Sequence, residues 1–358
     1  MNLPIIQQIK TKDFSWIDVS RCSSEEMKYL EENFGFHPIH LNDCLSQIQR
    51  PKLDVTDTYI FMVLLFPVYN RKTRKITSSE VDFFINADYL VIVHRSELTP
   101  LINFFNLCKI DPSQQEKFFN NNPSALIHEL LNRLFSYCIP ILDILSLNIN
   151  SIEEHIFRGF ERKMVNEILI AKTNVVNFRK IMQAHRMVVS KLLKKSNIFF
   201  STGEYKMYFD ELLETTEDIW ENLGNLTQSI EATEKTNNAL ISFQLNDVIK
   251  ILTTISVIIL PVTLIAAIFG MNLQFMPLTN KPFSFWLIIG IMIATFLSLL
   301  IFFKRKKWLQ SSTTLCRGKK KFLFLLKNKK LIFLFAARLF MIICILATPK
   351  PTFNLTSL

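Results

Sequence analysis

The tripeptide Gly270-Met271-Asn272 follows directly on Ile251 to Phe269, a run without a charged residue, and a second uncharged run, Pro282 to Phe303, comes soon after it. An asparagine amide presents a neutral oxygen, and a glycine beside it lets the backbone bend so that carbonyls turn the same way. Neutral oxygens hydrogen-bond the water around a cation without stripping it off. A polar tripeptide between two apolar runs therefore points to an ion pathway. The plainer reading of the same residues is a helix end, with Gly270 just past the last turn and Asn272 tolerating the bend.

The two runs are the elements that must position such a mouth. A helix of about 20 residues rises roughly 30 Å, the hydrocarbon thickness of a bilayer, so each run is long enough to span. The first span is expected over 248–270, an outer connection over 271–284 and the second span over 285–303. Lys304, Arg305, Lys306 and Lys307 follow the second run, whereas the connection holds only Lys281. Lys and Arg are retained on the cytoplasmic side, which places the connection outside and both the N-terminal part and the basic tail, 304–358, in the cytosol of a cell-membrane protein. Met1 to Trp16 has no apolar stretch of signal-peptide length. The net charge of +10 belongs to the membrane end: the last acidic residue is Asp247, and only 27 of the 41 Lys and Arg lie within residues 1–250, against 31 acidic residues. A mildly acidic soluble part argues against nucleic-acid binding.

Within residues 1–125, strand and helix signals alternate, the pattern of an α/β domain. Ser23 with Glu26 forms a capping box that opens a helix towards Phe34. Tyr59 to Val68 reads as a buried strand, and Val81 to Ile85 and Tyr89 to His94 flank the turn Asn86-Ala87-Asp88. Residues 126–247 read as a helical region and stalk, without a proline between Pro140 and Pro261. Ile219, Leu223, Leu226, Ile230, Thr233, Asn237 and Leu240 alternate three and four apart, a seam that packs either inside one chain or between subunits. A helix continuous from about Glu204 to Phe269 would be roughly 100 Å long. The one Gly-Lys pair, Gly318-Lys319, lacks the upstream glycine of a phosphate loop, so no nucleotide is expected. No Ser, His and Asp arrangement suggests an enzyme. Cys22, Cys44, Cys108, Cys138, Cys316 and Cys344 lack CxxC spacing and read as reduced, inert thiols. His37 and His40 stand one helical turn apart without a third metal ligand nearby.

Pro261-Val262-Thr263-Leu264-Ile265-Ala266-Ala267-Ile268-Phe269-Gly270-Met271-Asn272, with Met276-Pro277 and Lys304-Arg305-Lys306-Lys307-Trp308-Leu309, closely resembles the CorA family of divalent-cation channels. The resemblance runs upstream through Asn246 and, more loosely, through Tyr137 to Glu153 and Arg50-Pro51-Lys52, covering about residues 13 to 309. Gly-Met-Asn at the exit of the first of two terminal spans sets the family apart from the related ZntB zinc transporters, which differ at the Met position.

The resemblance implies an α/β N-terminal cytosolic domain, a long helical stalk and two C-terminal transmembrane helices, assembled as a homopentameric funnel in which first spans line one pore. Two helices alone cannot enclose a water-filled path, so self-association is required in any case. By family position, Thr263 and Asn246 form further polar rings, Leu260 and Leu252 form apolar constrictions that gate by dewetting, and Gly270, Met271 and Asn272 form the mouth. Mg²⁺, which gives up its waters reluctantly, is the implied cargo, with Co²⁺ and Ni²⁺ as further permeants. Entry would be passive and driven by membrane potential, with no ATP and no cofactor. Mg²⁺ is also the implied regulatory ion, held between cytosolic domains of adjacent subunits: Glu211 matches the family's acidic ligand by position, Asp210 stands beside it, and the partner carboxylate comes from Asp57, Asp54, Glu80 or Asp82. Two departures stand out. Leu278, Thr279, Asn280 and Lys281 occupy a connection that usually carries acidic residues, and the chain continues past Leu309, where the family stops, into a Lys-rich, apolar extension from 310. Zinc movement in the manner of ZntB and a non-conducting, membrane-tethered sensor or scaffold are the rival readings.

Overall fold

A computed structural model of the chain describes residues 6–11, 14–21, 23–46, 49–119, 123–195, 206–271 and 283–306. The chain divides into two compact units, Met1–Glu153 with Val165–Lys235, and Glu154–Met164 with Thr236–Leu358.

The first unit is built on a six-stranded sheet of order β1-β2-β6-β5-β4-β3, with β1 Ile6–Lys10, β2 Ser15–Ser20, β3 Lys52–Val55, β4 Ile60–Asn70, β5 Lys75–Ile85 and β6 Tyr89–His94. Only β2 and β6 run parallel; the other neighbours are antiparallel. The hairpin of β4 and β5 pairs continuously from Ile60↔Ile85 to Asn70↔Lys75, so β5 begins six residues before the expected Val81. Ser23 and Glu26 form the capping box of α1, Ser24–Phe34, which stops at Gly35 in the left-handed conformation, φ 66°. Pro38 opens α2, Pro38–Leu45. Both helices cover one sheet face, where Met27, Leu30, Phe36 and Leu41 pack with Ile17, Val19, Phe61, Val63, Phe84, Val91 and Val93. At roughly 1.5–3 kcal/mol for each large apolar side chain removed from water, this layer is the main source of the unit's stability.

The opposite face receives helices. On that side Trp16 meets Phe104 and Phe105 of α3, Thr99–Ile110. A short α4, Pro112–Phe118, leads to α5, Pro123–Phe157, whose Phe135 lies 5.7 Å from Phe66 of β4. By length and composition α5 is a candidate membrane span, yet 44% of its most apolar window is buried. It is a core helix, and Leu126, Leu130, Leu131, Leu134, Cys138 and Leu145 are its buried stripe. Pro140 sits on its exposed side, where the carbonyl that loses a partner faces water.

Next come α6, Glu161–Met182, and α7, His185–Lys195, then α8, Lys206–Phe269. In this unit Ile219, Leu223, Ile230 and Thr233 of the α8 seam are buried within the single chain. Polar clasps flank them: Lys172 Nζ to Glu234 at 2.6 Å, Arg186 to Glu217 at 3.0 Å, Thr233 Oγ1 donating to Glu153 at 2.7 Å, and the Arg179 guanidinium 4.8 Å from the Trp220 ring. The seam is thus internal packing. The described cysteines, Cys44, Cys108 and Cys138, are buried thiols outside any disulfide, and burial pushes the Cys108 thiol up to about 11.

The second unit contains the rest of α8 and α9, Ser284–Arg305. Only 11% of the most apolar window of α8 and none of that of α9 is buried, the reverse of α5. Along α9 the partly covered residues Ile288, Met292, Thr295, Leu299 and Phe303 repeat every three or four positions, while Trp286, Ile291, Ile293, Leu297 and Ile301 are exposed.

Candidate functional site

The helical period decides which side of α8 can face an ion. Thr254 and Ile258 are 0% and 6% exposed and mark its covered side. With about 100° of turn per residue, Asn246, Leu252, Leu260, Thr263 and Gly270 fall within an arc of about 120° on the opposite side. Leu252 and Leu260 are each 64% exposed, and Asn246 and Thr263 are exposed as well. All five sequence-selected positions on the helix therefore share one open arc.

The chemistry of that arc is acceptor-rich. The Thr263 hydroxyl donates its hydrogen to the Leu260 carbonyl at 2.8 Å, so its oxygen lone pairs are what it can offer outward. Pro261 has no N–H for the carbonyl of Val257, which lies at the edge of the same arc and gains a spare oxygen. Leu252 and Leu260 interrupt the polar positions with apolar collars.

Gly270 closes the last turn: its N–H reaches Ala266 O at 2.9 Å and Ala267 O at 3.2 Å, and Met271 N–H reaches Ile268 O at 3.4 Å. It does not adopt the left-handed conformation of a helix-ending glycine; a Cβ built there would lie 3.1 Å from Ala266 O. A side chain here would be tightly placed. Met271 is exposed. Asn272, Met276-Pro277, Lys281 and most of the connection lie outside the described residues, as does the extension from 310.

In the soluble unit, Asp210 and Glu211 are exposed on the early turns of α8, and Asp57 is exposed between β3 and β4. Burial lowers the pKa of His128 on α5, while the charges of Glu129 and Glu211 oppose that shift. Among the described residues no group of three or more His, Cys, Asp or Glu could hold a metal, so one chain does not bring Asp57 to Asp210 and Glu211. Asp54 is engaged with Lys52 at 3.3 Å. Glu80 and Asp82 are buried on β5: the Gln49 N–H donates to Glu80 at 2.6 Å, and burial, with the Glu80 charge beside it, holds the Asp82 carboxyl well above its ordinary range. Neither can reach a neighbouring chain. His37 and His40 are not a metal pair either. His37 Nδ1 accepts from Ile39 N–H, its own N–H donates to Tyr59 Oη at 2.9 Å, and Tyr59 is left to donate to His40 Nδ1 at 2.8 Å.

A family model described as CorA-like Mg²⁺ transporter protein matches residues 11–305. The chain belongs to this family. It is 33% identical over 298 residues to the magnesium transport protein CorA of Haemophilus influenzae, covering 82% of this chain and 92% of the relative. Over 302 residues it is 24% identical to the cobalt/magnesium transport protein CorA of Thermotoga maritima, covering 82% of this chain and 83% of the relative. The fold matches the complete CorA magnesium transporter of Methanocaldococcus jannaschii with a TM-score of 0.73 at 22% identity, over 84% of this chain and 93% of that one. As a CorA-like protein the chain is a metal-ion transporter of membranes with a soluble α/β N-terminal part, and the long apolar helices of the second unit are its candidate spans.

Proposed function

We propose that several copies of this CorA-like protein surround a water-filled path with the open arc of α8, and that Mg²⁺ passes along it with its inner waters retained. The observation that supports this most is the convergence of Asn246, Leu252, Leu260, Thr263 and Gly270 on the side of α8 opposite Thr254 and Ile258. Asn272 from each copy then forms a ring of amide oxygens at the mouth, and Leu252 and Leu260 form collars that dewet when narrowed. Five copies suit the funnel, with Gly270 to Ser284 outside and the N-terminal domain in the cytosol. An inside-negative potential drives a divalent ion inward by about 4.6 kcal/mol per 100 mV, twice the single-charge value, so no ATP is needed. Cytosolic Mg²⁺ closes the path by bridging Asp210 and Glu211 of one copy to Asp57 of the next, since a single chain holds these groups apart.

The test is uptake into liposomes containing the purified chain, with an inside-negative potential, for wild type and Asn272→Ala. Mg²⁺ flux that falls to background in the variant supports the reading, and Co²⁺ and Ni²⁺ flux in the same assay extends it. Zn²⁺ flux without Mg²⁺ flux replaces it with a zinc transporter, and no flux of any ion replaces it with a tethered sensor.

A further inference from the structure

A cavity of about 1110 Å³ opens in the first unit between the outer end of the β4–β5 hairpin, the segment Gln49–Pro51 and the joint of α6 with α7. Its floor is apolar: Leu65 and Ile76 of the hairpin and Ile181 of α6 are all buried. Its rim is polar and cationic. Arg50 comes from the loop before β3 and Lys180 from the last turn of α6, and both are exposed lining residues. Among the described residues neither has an ion pair or hydrogen bond, whereas Lys52, Arg74, Lys172 and Arg186 in the same unit are all paired with carboxylates. Thr77 and Ser78 add hydroxyls, and the Asn177 amide is held in the wall by donating to Ile76 O at 3.3 Å.

Among the described residues no Asp or Glu lines the cavity. Two cations without a carboxylate partner thus face this cavity in a part of the chain whose acidic residues outnumber its basic ones. Ala184 accepts from Val188 N–H, so the first turn of α7 forms part of the wall beside the last turn of α6. Glu80 lies behind the lining, buried and accepting from Gln49 N–H at 2.6 Å. Two cations and no carboxylate among the described lining residues suit an anion better than a cation. A bare inorganic anion would fill little of a space slightly above the usual ligand range of about 300–1,000 Å³.

We propose that this cavity binds an organic anion, a phosphate monoester or polycarboxylate whose charged head lies between Arg50 and Lys180 and whose body covers Leu65, Ile76 and Ile181. The inference is independent of how the membrane helices work. It is tested on the full-length chain in detergent micelles, free of divalent ions, by calorimetric titration with AMP, citrate and inorganic phosphate. AMP as the tightest probe assigns a phosphate ester; citrate as the tightest assigns a carboxylate. Arg50→Ala and Lys180→Ala should each weaken that probe about tenfold, the scale of one charge-assisted hydrogen bond, and the double variant should abolish binding. Arg50→Gln serves if Arg50→Ala fails to fold. Lys194→Ala, the same charge change outside the cavity lining, should leave binding intact. The proposal is overturned if none of the three probes binds saturably, if inorganic phosphate binds as tightly as both organic anions, if the double variant still binds, or if Lys194→Ala weakens binding equally.

Discussion

A Cβ at position 270 would lie 3.1 Å from Ala266 O, a contact tight enough that the last turn of α8 must give by a few tenths of an ångström to take a side chain. Gly270→Ala should displace that turn at about 1 kcal/mol, the low end of overpacking, and Mg²⁺ flux should fall about fivefold while the melting of the soluble unit stays unchanged. A flux equal to wild type would show that the mouth does not depend on this turn. His185 supports a second prediction at this scale. Its ring is wholly buried between Phe66 and Phe135, both ring nitrogens lack a hydrogen-bond partner, and burial lowers its pKa from 6.5 to about 4. The folded state therefore resists protonation. The stability this residue contributes is complete above about pH 6.5, declines as pH falls towards 4, and levels off below that. The full loss is about 3 kcal/mol. Subtracting the pH profile of His185→Leu from that of wild type, by circular-dichroism melts between pH 4 and 7.5, isolates the slope; parallel profiles would contradict it.

Among the elements, α6 is stitched to the β4–β5 hairpin by one buried side chain. Asn174, 3% exposed, accepts from Ile76 N–H at 3.0 Å and donates to Arg74 O at 2.7 Å, and Arg74 forks onto Glu167. Asn174→Ala leaves two backbone groups without partners and should destabilise the first unit by about 2–4 kcal/mol. A change below 0.5 kcal/mol in a denaturant titration would mean that water replaces the amide fully. Elements governed by local rules were legible in the sequence: the Ser23 capping box, the Tyr59 strand and the turn at Asn86 each carry their signal within a few residues. The first half of β5 was not, because Thr77-Ser78-Ser79-Glu80 is polar and becomes strand only through pairing with Val68-Pro67-Phe66-Leu65. Nor was the burial of Glu80 and Asp82, which depends on Gln49 and on the sheet around them. The positions Asn246, Leu252, Leu260 and Thr263 came from the family resemblance, and the helical period turns their spacing into one exposed arc of α8. The cavity was invisible, since its walls come from residues between 49 and 187 that only the fold assembles.

At the scale of the molecule, the exposed apolar surface of α8 and α9 demands a cover that a single chain does not supply. Leu252, Ile255, Val257, Ile259, Leu260, Leu264 and Ile268 are exposed on α8, and they go right around the helix outside the Thr254 and Ile258 side. Lipid can cover most of that circumference. Asn246, just before the expected span, is served by water or by other copies. If copies meet around an axis along the open arc, cysteines placed there approach their equivalents. In a background with all six native cysteines replaced, Leu252→Cys and Leu260→Cys should give disulfide-linked dimers on mild oxidation in membranes, because their side chains converge on the axis. Ile258→Cys, on the covered side of the same helix, should stay monomeric. Links from Ile258 and none from Leu252 would turn the helix by half a circle and put its polar residues towards lipid, and the conducting path would have to be sought elsewhere.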